Sequence, residues 1–172
     1  GWAWAPLGVN NGGDIVASRV YNGLYQPGMG WALLPSFPSF QPSAINDGGL
    51  LGGNLYLGYA YHAALRNPDG SILDLDPLGG NGNVHEINNA GQAAGTRAIL
   101  SGERGFFWNG SAMQDIGLLY TPPPGFNTYS GAEGINALGQ VVGYSDTSPA
   151  NLTPGCQSGA RHAVLYSNGG LT

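Results

Sequence analysis

Four times in 172 residues the chain writes an apolar residue, Asn, two variable residues and Gly. The copies are "VNNGG" from Val9, "INDGG" from Ile45, "INNAG" from Ile87 and "INALG" from Ile135, at offsets of 36, 42 and 48 residues. Asn at the first position of a turn bonds its own local backbone, and Gly at the fourth accepts a positive φ, so each copy predicts a tight hairpin connection. A hairpin recurring at this spacing constrains the fold more than any composition does, because a unit of that size cannot bury its own faces and must stack on its neighbours.

A second pattern follows the first. "HAALR" (62–66) and "HAVLY" (162–166) match closely, "RGFFW" (104–108) less so, and "GWALL" (30–34) is assigned to the same place in the first unit. Each reads as a short apolar strand buried on both faces. Turn chemistry comes next: Asn67-Pro68-Asp69-Gly70 suits a type I turn, Asn109-Gly110 a type I′ turn, and "SNGG" (167–170) closes the last copy. Short strands such as "ILDLDPL" (72–78) and "MQDIGLL" (113–119) complete the unit. One repeat is therefore four short strands joined by hairpins. No segment sustains a helical period without Gly or Pro, so almost no helix is expected. The expected fold is all-β, with residues 1–172 forming one domain of tandem four-stranded repeats, a β-propeller-like array of about four blades.

The two ends bear on closure. "WAWAPLG" (2–8) lines up with "LDLDPLG" (73–79), whereas the last unit stops at "GGLT" (169–172), where its fourth strand should begin. Residues 1–8 are thus expected to complete the last unit, or that of a neighbouring subunit, removing exposed strand edges. A first residue that is Gly, running straight into patterned sequence, reads as a processed chain or a piece of a longer one.

Composition narrows the function classes. Thirty-one Gly and twelve Pro coexist with nine Tyr, five Phe and four Trp, so they punctuate turns rather than mark disorder. Only 9% of residues are charged, all five basic residues are Arg, and the net charge is −5, which leaves no footprint for nucleic acid. No apolar run has the roughly 20 residues of a membrane span. The lone Cys156 excludes a disulfide framework within the chain and reads as an unpaired loop thiol.

"INALGQVVGYS" with "RHAVLYSNGG", and "LDLDPLGG" with "INNAGQAAG", resemble the HAF-type probable extracellular repeat family of bacteria. The resemblance covers nearly the whole chain. It is closest over residues 60–172 and weak in the first unit, where Asp14-Ile15 stands for Gly-Gln and Gly30-Trp31 for His-Ala. It implies export, an extracellular or cell-surface location and a tandem β-rich architecture, and it carries no catalytic residues.

Candidate chemistry is sparse. His62 and His162 occupy matching third-strand positions, with Arg104 and Gly30 in the other units, and read as structural histidines. His85-Glu86 lacks the second half of a zinc-binding helix motif. Asp74, Asp76, Asn81, Asn83 and Glu86 are oxygen donors suited to calcium, but without the spacing of an EF-hand, so no cofactor is expected and calcium is the weak alternative. Asp74 and Asp76 could form an acid pair, yet nothing indicates the cleft that glycosidase chemistry needs. Asn109-Gly-Ser and Asn151-Leu-Thr fit the N-glycosylation triplet.

Trp2, Trp4, Trp31, Phe37 and Phe40 crowd the first quarter, around the extended, Pro-rich "LLPSFPSFQP" (33–42). They are the candidate assembly or binding surface, able to dock a subunit or stack on sugar rings. The expected function is that of an exported, non-enzymatic β-repeat protein of the cell surface, structural or adhesive, self-assembling into filaments through its terminal strands. A carbohydrate- or ligand-binding propeller is the alternative, and a propeller hydrolase or lyase the third reading. The expected partner is a further copy of itself, with carbohydrate second.

Overall fold

The structure is a computed structural model that describes residues 5–18, 22–34, 39–122, 125, 127–147 and 161–172. Every regular element among them is a β-strand, and none is a helix that could cross a membrane. The strands fall into four consecutive antiparallel meanders. The first comprises β1 (Ala5–Val9), β2 (Ile15–Ser18), β3 (Asn22–Gln26) and β4 (Gly30–Leu33), and the second β5 (Ser39–Ile45), β6 (Leu51–Tyr56), β7 (Tyr61–Arg66) and β8 (Ile72–Asp74). The third comprises β9 (Gly82–Ile87), β10 (Ala93–Ile99), β11 (Gly102–Trp108) and β12 (Met113–Asp115), and the fourth β13 (Thr128–Ile135), β14 (Val141–Asp146), β15 (Arg161–Ser167) and β16 (Gly170–Leu171). A two-residue parallel pairing, Gly102 with Thr128 and Glu103 with Tyr129, joins the third meander to the fourth.

Each Asn-x-x-Gly segment is the turn between the first and second strands of a meander. The Gly N–H donates to the Asn carbonyl at 3.1 Å in all four copies, and Gly13, Gly49, Gly91 and Gly139 have φ of 74–81°. The Asn side-chain oxygen accepts the backbone N–H four residues on, from Asp14, Leu50, Gln92 and Gln140.

Three assignments made from sequence are corrected. "GWALL" is not a third strand: Asn22–Gln26 holds that place and Gly30–Leu33 is the fourth, because Gln26-Pro27-Gly28-Met29 forms the turn between them. Gly30 is therefore not the counterpart of His62; the first-sheet position in that register falls at residue 21, outside the described residues. Residues 5–8 pair with β2 as the first strand of their own sheet, not with the fourth sheet, whose own fourth strand is the short β16. Residues 1–4 lie outside the described residues. Finally, Asn109-Gly110 is not a type I′ turn, since only Gly110 has positive φ; Asn168 (53°) and Gly169 (79°) adopt the paired positive values that turn needs.

The sheets stack in chain order, and each junction has its own apolar cluster. Val16 meets Phe40, Ile45, Leu51 and Leu55 between the first and second sheets. Leu65 and Ala63 meet Val84, Ile87 and Phe106 between the second and third, and Phe107 and Ala94 meet Ile135, Val141 and Tyr166 between the third and fourth. Phe106 and Phe107, adjacent in β11, thus serve two different cores, as alternation in a strand requires. Among the described residues no apolar cluster joins the fourth sheet to the first. A third strand is buried on both faces only in the middle sheets, which have a neighbour on either side.

The turns are stitched together as well. Asn10 Nδ2 donates to the Asn46 carbonyl (3.1 Å), Asn46 Nδ2 to the Asn88 carbonyl (3.0 Å) and Asn88 Nδ2 to the Asn136 carbonyl (3.0 Å). Alongside runs an exposed ladder in which Asp47 accepts the Asn11 N–H and Nδ2 and the Asn89 Nδ2. The Asn11 backbone N–H and then the Asn11 and Asn89 amides hold the Asp47 carboxyl below its ordinary value of 3.8. A group whose folded pKa is lowered stabilises the fold above its ordinary pKa and loses that contribution as pH falls through the folded value. Thermal melts between about pH 5 and pH 2 should therefore fall less steeply for Asp47→Asn than for the parent chain; identical slopes would show that this ladder does not report on folding.

Candidate functional site

Most polar side chains are spent on the fold. Buried His62 (1% exposed) places Nδ1 2.8 Å from Asp74 Oδ2, linking third and fourth strands, and Asp74 Oδ1 accepts the Asp76 N–H. The same construction recurs in the third sheet, where Arg104 Nε stands 3.8 Å from Asp115 Oδ2 and Asp115 Oδ1 accepts the Gly117 N–H. Exposed His162, in the matching place of the fourth sheet, does not converge with His62. His85 bonds through Nδ1 to the Ala132 carbonyl at 3.1 Å and so ties the third sheet to the fourth.

The oxygen donors considered for calcium are scattered among separate partners. Asp74 serves His62, Asp76 serves Arg97, Asn81 accepts the Tyr61 N–H, Asn83 accepts Asn54 Nδ2, and Glu86 accepts the Ile135 N–H. Among the described residues no three His, Cys, Asp or Glu side chains cluster as a metal site. Asp74 and Asp76 likewise pair with different side chains, His62 and Arg97, rather than with each other across a cleft.

Of the aromatic candidates, Trp2, Trp4 and Phe37 lie outside the described residues, as do Cys156 and Asn151. Trp31 is exposed on β4, its ring centroid 5.5 Å from that of Tyr25. Phe40 is 2% exposed and belongs to the core between the first two sheets, so it is removed from the candidate surface. Its position in the alternation of β5 turns it inward, which a crowd of aromatics in sequence could not reveal.

The surfaces that do stand out are the two ends of the stack, which sequence reasoning did not single out by residue. The apolar residue before each Asn is nearly buried in three copies, Ile45 (8%), Ile87 (7%) and Ile135 (8%), yet Val9 is 66% exposed. Leu7 beside it is exposed too. At the other end, Val142 and Leu165 are exposed on the fourth sheet, while their register partners Ala94 and Phe107 in the third, and Gly52 and Leu65 in the second, are buried. Val142 and Leu165, with Ile135, Asn136 and Gln140, line an open hollow of about 390 Å³. The hollow occupies the place that the next sheet fills at each interior junction. Asn136 Nδ2 turns back to Gln140 Oε1 (2.8 Å), with no following turn beyond it among the described residues.

No protein-family model matches the chain, and no curated protein sequence matches it either. It superposes on an acylaminoacyl peptidase from Pyrococcus horikoshii (orthorhombic crystal form) with a TM-score of 0.58 and 14% sequence identity, over 92% of this chain and 25% of that one. At this identity the likeness concerns the fold alone, and the chain spans a quarter of the enzyme's length. The end faces are accordingly read on their own chemistry. Each is an apolar strip flanked by one Asn turn, and each is the counterpart of a face that is already buried three times within the chain.

Proposed function

We propose that the four sheets are blades of a propeller-like stack, and that the chain is a non-enzymatic structural module of an exported, cell-surface protein which associates with further copies of itself through its two end sheets. The observation that carries this reading is the exposure of Val9 at one end and of Val142 and Leu165 at the other, in registers that are buried or partly buried at every interior junction. The fourth sheet of one copy would receive the first sheet of the next as the third receives the fourth, with Asn136 Nδ2 donating to the Asn10 carbonyl of the incoming copy. Such a head-to-tail contact is heterologous, closing into a ring if its rotation permits and extending as a filament if not. Export and the surface location rest on the resemblance to extracellular repeats.

Sedimentation over a concentration series tests it. The parent chain should associate, whereas Val9→Asp and Leu165→Asp should each remain monomeric, since an unpaired charge buried in an apolar junction is costly. An equimolar mixture of the two variants should form a capped one-to-one pair, because one retains a sound tail and the other a sound head. A parent chain that stays monomeric up to about 1 mM, or a mixture that never pairs, overturns the reading.

A further inference from the structure

A second concavity lies at the strand ends opposite the Asn turns, between the second and third sheets, and it takes no part in the stacking faces. It is an open concavity of about 320 Å³, at the lower end of the size class of small-molecule clefts, roughly 300–1,000 Å³. Its walls are Gln41 of β5, Asn54 of β6, Tyr61 of β7, Asn83 of β9, Thr96 of β10 and Glu103 of β11. Three of these are side-chain amides, two carry hydroxyls and one is a carboxylate, and among the described residues no Arg or His lines the space. Asn54 Nδ2 is engaged with Asn83 Oδ1 at 3.1 Å, while Asn54 Oδ1 is buried without a partner among the described residues. That oxygen faces away from solvent, so the groups open to a ligand in the concavity are the other amides, the hydroxyls and the carboxylate. Glu103 is positioned by the Tyr144 hydroxyl, which donates to Oε1 at 3.2 Å. At the wall, Tyr61 packs against Tyr56 with centroids 4.8 Å apart, and both residues are 40% exposed.

From this we infer that the cleft binds a neutral saccharide. Sugar hydroxyls both donate and accept, which matches amides that present a carbonyl acceptor beside two N–H donors, and a carboxylate that accepts. The exposed tyrosine pair offers an apolar face to the C–H face of a pyranose ring. An acidic sugar would set a second negative charge against Glu103 with no Arg or His among the described lining residues to offset it, so neutral sugars are preferred.

Titration of the isotopically labelled chain with cellobiose, maltose and lactose, followed by amide NMR, tests this. At least one sugar should cause saturable shifts of the Asn54 and Asn83 side-chain NH₂ signals, with glucuronate causing none. Glu103→Gln, nearly isosteric, and Tyr61→Ala should each weaken binding by roughly tenfold, while the thermal melt of Glu103→Gln stays within a few degrees of the parent. The inference is overturned if none of the three sugars gives saturable shifts, if the shifts map to Trp31 instead, if neither substitution alters the affinity, or if glucuronate binds as well as the neutral sugars.

Discussion

Gly95→Ala is expected to destabilise the chain by about 3 kcal/mol, lowering Tm by on the order of 6–12 °C for a domain of this size. A Cβ at Gly95 would stand 2.1 Å from the Asn83 carbonyl oxygen and 2.7 Å from the ring of fully buried Phe106. The cause is a bulge. In each meander the first strand shifts register just before its Asn turn, at Pro42/Ala44 against β6, between β9 and Ala94/Gly95 of β10, and at Ala132/Gly134 against β14. The shift aims a carbonyl at the third residue of the second strand. That residue is Gly53, Gly95 or Gly143, with the carbonyls of Gln41, Asn83 and Gly131 at 2.0, 2.1 and 1.9 Å from the added Cβ. The entropic gain from replacing Gly, about 0.4–1 kcal/mol through the unfolded chain, is too small to offset a clash with backbone. The first sheet has the same shift, at Pro6/Gly8 against β2, but holds Ala17 in this register, and among the described residues no sheet packs on the other side of β1. Gly80→Ala is the control: its Cβ would meet Ala98 Cβ at an ordinary 3.5 Å, so it should be neutral or slightly stabilising. Equal melting temperatures for the two variants would remove the bulge as the reason for the Gly.

Asn88→Ala is expected to cost about 3–4 kcal/mol, read as a lower midpoint in urea denaturation. The side chain is 7% exposed and serves two structures at once. Its Oδ1 accepts the N–H groups of Ala90 and Gln92 within its own turn, and its Nδ2 donates to the Asn136 carbonyl of the next sheet. Removing it strands those partners where water reaches them poorly. Asn136 makes the same turn bonds, to Leu138 and Gln140, but among the described residues it carries no link to a following sheet, and it is exposed. Asn136→Ala should therefore cost less by about 1 kcal/mol or more, the value of one inter-sheet bond plus the added burial. If the two substitutions cost the same, the stitch between sheets contributes nothing beyond the turns.

The stitch also shows how far the turn motif could be read in sequence. Asn and Gly at the first and fourth positions announce a hairpin because the required φ and the side-chain bond to the backbone are properties of five consecutive residues. The all-strand character and the four-strand rhythm follow from the same local signals. Third strands were harder to place. "GWALL" looked like "HAALR" in its apolar residues, but Pro27 and Gly28 just ahead of it set a turn, and that turn makes it a fourth strand. The pairing of His62 with Asp74, repeated as Arg104 with Asp115, had no visible spacing rule, because register across a hairpin brings those residues together. The amide-lined cleft was illegible for the same reason: Gln41, Asn54, Asn83 and Glu103 come from four strands of two sheets and share no motif.

What the chain's order of residues settled alone was local: where it turns, that it forms strands, and that it does so in four similar units. Burial was decided only by stacking. Val9 and Ile45 precede the same Asn in the same hairpin, and one is bare while the other is buried, because a sheet lies before the second and none lies before the first among the described residues. Turn geometry depends on neighbours along the chain, whereas exposure depends on what packs across a face. The end faces and the cleft belong to that second kind of information.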